Sequence, residues 1–147
     1  MEKELGSDWK SRFLVFHDDP IAAASIGQVH RAVILGDSDS GGSKEIQVAV
    51  KIQYPGVAES IDSDLDTLKS LLLFGNLLPK GLFMENIVTV AKRELAWEVD
   101  YEREARYTMK FRDLLKGDSV FRVPAVYPKV SSRRVLTTEW MDGFPIK

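Results

Sequence analysis

Between Ile46 and Gln53 the chain alternates: Ile46, Val48, Val50 and Ile52 fall on one side, and Gln47, Ala49, Lys51 and Gln53 on the other. A period of two marks a strand with one face buried. Upstream, Val29 to Leu35 is β-branched and apolar, and the stretch between them, Gly36 to Ser43, is polar and rich in Gly, Ser and Asp. Two strands around such a loop predict a hairpin, and Pro55-Gly56 ends the second strand. The period then changes. Ala58, Ile61, Leu65, Leu68 and Leu72 step by three and four, so they form one stripe of a helix. Asp62, Asp64 and Asp66 crowd its N-terminal half, where the helix dipole favours negative charge.

After a break at Asn76 to Gly81, the pattern predicts one longer helix from about Met84 to Leu115, ended by Gly117. Its first half is apolar at Ile87 to Ala91, and its second is dense in carboxylates. Two more strands are predicted near Ala125 to Val130 and Arg134 to Trp140. Leu5, Trp9, Phe13, Leu14 and Phe16 predict a short amphipathic helix over residues 1–17. The fold class is α+β. The stripe from Ala58 to Leu72 reads as a core face or, alternatively, as an interaction face.

Composition narrows the function. With 20 basic and 22 acidic residues the net charge is -2, which argues against a nucleic-acid partner held by a basic field. The absence of cysteine excludes disulfides, thiolate metal sites and a Cys nucleophile, and His17 and His30 do not have metal-ligand spacing. No metal site is expected. No apolar run exceeds the length of Leu71 to Gly75, far too short to cross a bilayer, so no transmembrane segment is expected. The acidic start, Met1 to Gly6, is neither a secretory signal nor a transit peptide.

The chemistry centres on Lys51 in Val48-Ala49-Val50-Lys51. It lies on the face opposite the Ile/Val stripe, beside the small Ala49. It is either a solvated lysine or the phosphate-binding lysine of a kinase-like lobe, with Ala49 flooring an adenine pocket. Such a lysine needs a helix carboxylate to pin it. Upstream, Ala22-Ala23-Ala24-Ser25-Ile26-Gly27-Gln28-Val29 fits the frame of a Gly-rich phosphate loop, with Ala22 and Ala24 in place of the first two glycines. Alanine resists the backbone conformations that let glycine loops wrap phosphates closely. Downstream, Glu94 and Glu98 share one helix face and Asp100 and Glu104 another, near Arg93, Arg103 and Arg106.

These three motifs, in this order, resemble the UbiB family of atypical kinases, the aarF-domain-containing proteins of coenzyme Q biosynthesis. Leu77 to Phe83 and Leu136 to Met141 are similar to its eukaryotic mitochondrial branch. The resemblance implies a protein-kinase-like N-lobe: an antiparallel sheet, a long helix of the αC type, and extra helices particular to the family. It implies residues 1–17 as an N-terminal helix and 18–147 as the lobe, ending at the hinge. It implies nucleotide binding, as ATP or ADP, at Ala22, Ala23, Ala24, Ser25, Gly27, Val29, Ala49, Lys51, Glu139 and Met141, with Thr138 as gatekeeper. Glu104 matches the helix carboxylate that pairs with Lys51, with Glu98 as the rival partner. Glu98 and Asp100 match the family's E-x-D motif.

The departures matter too. The family's K-x-G-Q motif, catalytic loop and metal-binding Asp have no counterpart here. The expectation is therefore a lobe with no catalytic residue of its own, inactive alone, with Mg²⁺ bound only alongside the missing C-lobe. The resemblance implies a mitochondrial protein acting with coenzyme Q biosynthetic proteins and lipid intermediates at a membrane surface. The alternative is a non-catalytic module that docks onto those enzymes.

Overall fold

The computed structural model describes residues 1–37, 43–74 and 84–143. The tip of the polar loop, residues 38–42, the break at Asn76 to Gly81 and the Leu77 to Phe83 segment lie outside the described residues. The fold is mixed α/β, an antiparallel sheet with several helices. Two compact units make up the chain: Met1–Gln53 with Tyr101–Lys147, and Tyr54–Asp100.

The first unit is built on the hairpin. Strands β1 (Val15–Phe16), β2 (Ala22–Ala24), β3 (Gly27–Asp37), β4 (Ser43–Gln53) and β5 (Val135–Glu139) form one sheet. β3 and β4 pair over their whole length, β5 lies on the other side of β4, β2 pairs with the start of β3 and β1 with its middle. The alternation in β4 is observed. Val48 and Val50 are fully buried, while Ala49 and Lys51 are partly open on the opposite face.

Ala32, Ile34, Val48, Val50 and Val135 form the core face, and Leu5, Phe13 and Val130 close over it. Burial of Leu5 and Phe13, worth roughly 1.5–3 kcal/mol each, holds the N-terminal segment down. Trp9, Phe13 and Phe16 meet edge to face, with centroids 4.9 Å apart for Trp9–Phe16 and 5.4 Å for Phe13–Phe16. The buried His30 stacks on Phe16 and donates from Nδ1 to the His17 carbonyl at 2.9 Å.

Residues 1–17 are not one helix. Helix α1 spans only Glu2–Leu5; a 3-10 turn at Trp9–Arg12 and strand β1 follow. Gly6, at φ 89°, turns the chain out of α1. The spacing of Trp9, Phe13 and Phe16 mimics a helical stripe, but a tight turn and a strand serve the same burial. The strand expected near Ala125 to Val130 is a single bridge from Val126 to Thr138, followed by a 3-10 turn at Pro128–Val130. Pro128 has no N–H to donate to a ladder.

The long helix expected from Met84 to Leu115 is two. Helix α3 (Met84–Glu98) ends before Val99 and Asp100, and helix α4 (Tyr101–Leu114) begins after them. Helix α4 belongs to the first unit and α3 to the second. Within the second unit, α3 packs antiparallel to helix α2 (Val57–Phe74). Lys92, past the middle of α3, bonds Asp66 at 2.8 Å and reaches Asp62 at 3.6 Å, while Glu85, at the start of α3, meets Lys69 further along α2 at 3.7 Å. Of the predicted stripe, Ala58, Ile61, Leu65 and Leu72 are half-buried and Leu68 is exposed.

Candidate functional site

Cross-strand register puts the chemistry on one face of the sheet. Val29, Lys51 and Leu136 lie in one row and Arg31, Ala49 and Thr138 in the next, because directly paired residues of an antiparallel sheet share a face. This face is opposite the Val48/Val50 core. Helix α4 contributes Tyr101 and Glu104, three residues apart and so on one side of the helix.

Both reach Lys51. Its Nζ lies 2.9 Å from Glu104 Oε2 and 3.3 Å from Oε1, and 4.7 Å from the centroid of the Tyr101 ring. The Lys51 side chain is 23% exposed and that of Glu104 42% exposed. A pair this open is screened, and adds at most about 1 kcal/mol to folding. Tyr101 is fully buried. The site therefore holds a fixed ammonium, partly open to solvent, beside the small Ala49 and the apolar Val29.

The Ala-rich stretch is a strand and a turn rather than a loop throughout. Ala22, Ala23 and Ala24 pair with Val29, Gln28 and Gly27, leaving Ser25 and Ile26 as a two-residue connection. Ala22, Ala23 and Ser25 are exposed, Ala24 is half-buried, and Ile26 and Gly27 are buried. Close approach explains Gly27: a Cβ there would run into the Ile52 carbonyl and lie 3.1 Å from Tyr101 Oη. The turn thus rests on the hydroxyl end of the tyrosine that underlies Lys51.

At the other end of the site, β5 passes into the segment expected to be the hinge. The Trp140 N–H donates to the Gln47 carbonyl at 3.0 Å. Arg31 lies 4.9 Å from the Trp140 ring centroid and donates to Gln47 Oε1 at 2.6 Å. Glu139 pairs with Val48 in register, so its side chain turns to the core face. There it accepts from Arg122 at 2.6 Å and from the Ala125 amide at 3.2 Å. Burial alone would raise its pKa; the Ala125 and Arg122 hydrogen bonds and the charges of Arg122 and Arg112 outweigh it and hold the carboxyl below its ordinary range. The Glu139 side chain is thus turned away from the Lys51 face, and its N–H donates to the Ala125 carbonyl at 2.7 Å. Met141 is exposed beyond it.

Glu98 and Asp100 belong to the second unit, Glu98 exposed in the last turn of α3 and Asp100 half-buried after it. Among the described residues no group of His, Asp and Glu is placed to hold a metal ion, and no helix is long and apolar enough to cross a membrane. An apolar cleft of about 560 Å³, lined by Ile34, Ile46, Tyr127 and Val130 with Arg12 and Lys129, opens on the core face and is no part of the lysine site.

Sequence reading missed Tyr101 and Arg31. The three-residue step to Glu104 was the available signal for the first, and strand register beside Ala49 for the second.

The chain matches the ABC1 atypical kinase-like domain over residues 1–147. It is 52% identical to the atypical kinase COQ8B, mitochondrial, of Danio rerio, over 99% of this chain and 22% of that protein. It is 51% identical to the atypical kinase COQ8, mitochondrial, of Saccharomyces cerevisiae, over 99% of this chain and 28% of that protein. A Mycobacterium tuberculosis protein solved as a complex with erythromycin superposes with a TM-score of 0.73 at 35% identity, over 98% of this chain and 34% of that one. The chain thus spans about a quarter of the length of the curated relatives it matches.

Proposed function

The chain belongs to the ABC1 atypical kinase-like domain family, and on that premise we propose that it forms the lysine-bearing half of a nucleotide site. In this reading Lys51 meets the phosphates of ATP or ADP, and Val29 and Ala49 cover the base. The turn from Ala22 to Gly27 approaches the phosphates, and main-chain groups of Glu139 and Met141 border the adenine. The nucleotide supplies the transferable or hydrolysable phosphoryl group. This chain's residues bind and orient it, and Mg²⁺ and the catalytic groups belong to residues outside the chain. Glu98 and Asp100 serve as the E-x-D pair.

The observation that supports the reading most is the fixed ammonium: Lys51 held 2.9 Å from Glu104 on a sheet face that is small and apolar around it. A lysine free in solvent would give a phosphate no defined partner.

The names of the relatives carry the proposal to an atypical kinase of mitochondria, and the resemblance of the three motifs to the UbiB family extends it to a kinase or ATPase of coenzyme Q biosynthesis, working near lipid intermediates. A second reading, a docking module for other biosynthetic proteins, is favoured by α2, where Leu68 is 50% exposed and Leu71 64%.

Thermal melting of the full-length protein separates the two. A ligand that binds the folded state at 100 times its Kd stabilises by about 2.7 kcal/mol, so Mg²⁺ with ATP or ADP should raise the melting temperature by several degrees. A melting temperature that neither nucleotide moves leaves the docking reading.

A further inference from the structure

We propose that Tyr101 is a positioning residue for Lys51, and that it ties the height of the ammonium to the Ser25–Gly27 turn. The inference deepens the nucleotide reading and rests on it for its consequence, though the geometry stands by itself. Three observations meet at this side chain.

Lys51 is held at two points. Glu104 takes the ammonium by charge, at 2.9 Å, and the Tyr101 ring lies beneath it at 4.7 Å from the centroid. Both supports come from the first turn of α4, so one helix end sets both. Glu104, with its side chain 42% exposed, supplies the charge from the solvent side. The fully buried ring is held by its neighbours, and its negative face favours the cation on that side.

The opposite end of the same ring meets the turn. Tyr101 Oη would lie 3.1 Å from a Cβ at Gly27, so the hydroxyl occupies the space beside that glycine. Gly27 is also the residue where β2 and β3 close, paired with Ala24. One rigid side chain therefore spaces the turn that would approach phosphate from the lysine that would bind it. An aromatic at this helix position does more than fill core: a leucine would fill the volume and supply neither the cation-binding face nor the hydroxyl.

Tyr101→Phe and Tyr101→Leu in the full-length protein test this with two readouts. The first needs no nucleotide: the rate at which an amine acylating reagent labels Lys51, by peptide mass spectrometry, relative to the exposed Lys129. Losing the ring should raise that ratio roughly three- to tenfold in Tyr101→Leu, the range a lost cation–π contact allows, with Tyr101→Phe close to wild type. The second is calorimetric affinity for ATP, ADP and adenosine. Tyr101→Leu should weaken the two phosphate-bearing ligands by a similar factor and leave adenosine unchanged, and Tyr101→Phe should restore most of the loss.

An unchanged Lys51 labelling ratio in Tyr101→Leu overturns the proposal. So does a loss of adenosine and ATP affinity together with a falling melting temperature, which would mean Tyr101 only supports the fold. If wild type binds no nucleotide at all, the nucleotide reading fails, and the labelling ratio still decides the role of Tyr101.

Discussion

Lys51 and Glu104 stand 53 residues apart in sequence and 2.9 Å apart in space. Their meeting depends on two independent placements. Alternation in β4 turns Lys51 away from the Val48/Val50 core, and the start of α4 at Tyr101 puts Glu104 one turn in. With Glu104 42% exposed, the pair contributes little to folding. Lys51→Met and Glu104→Gln should each change unfolding free energy by less than about 1 kcal/mol. Urea denaturation checks this. A loss of several kcal/mol would make the pair a structural element instead.

The turn gives a sharper stability contrast. Gly27→Ala drives a Cβ into the Ile52 main chain, which belongs to the central strand and cannot step aside. The expected loss is about 2 kcal/mol or more. Ala24→Gly, its cross-strand partner, should cost only roughly 0.5–1 kcal/mol, from backbone entropy. Denaturation midpoints of the two variants rank them. In the nucleotide reading Ala24→Gly should also shift the ATP/ADP preference several-fold, about 1 kcal/mol in binding, as the freed backbone closes on phosphate.

Much of this arrangement is legible in the sequence. The alternation from Ile46 to Gln53 gives the strand, its faces and the side on which Lys51 lies, because the period of a strand is a local property. The division at Val99–Asp100 is not legible. Neither residue is Gly or Pro, and the carboxylate-rich second half continues a helical pattern on paper. The two helices fall in different compact units, α3 in one and α4 in the other, a division that local periodicity does not encode. The N-terminal segment fails for a related reason. Trp9, Phe13 and Phe16 are spaced as a helix would space them, and Gly6 ends α1 before they are reached. Tyr101 was hidden because an aromatic at a helix start usually signals core. It is core, and the cation above it is set by residues far away in sequence.

Glu139 should make stability depend on acidity. Its carboxyl is held below its ordinary value of 4.5, so its contribution is present above that value and is lost as pH falls through the folded-state value. Glu139→Gln should cost about 1 kcal/mol near neutral pH and flatten the acid limb of the stability curve. Denaturation of both proteins between neutral and acidic pH reads the difference. Parallel acid limbs would remove Glu139 from the explanation.

Thr137 offers a test of the core. It is fully buried, and its Oγ1 donates to the Val130 carbonyl at 2.6 Å, tying β5 to the 3-10 turn. Thr137→Val keeps the shape and leaves that carbonyl without this donor. A loss of about 1–3 kcal/mol is expected, seen as a lower denaturation midpoint at unchanged m-value.

The central claim, that Lys51 is a phosphate contact and not a surface cation, is tested most directly by calorimetric titration of the full-length protein and its Lys51→Met variant. Each is titrated with ATP, ADP and adenosine, the first two with Mg²⁺. The account predicts that Lys51→Met weakens ATP and ADP by roughly tenfold, about 1.4 kcal/mol, with adenosine affinity and melting temperature unchanged. Equal affinities of wild type and Lys51→Met for both phosphate-bearing ligands would contradict it.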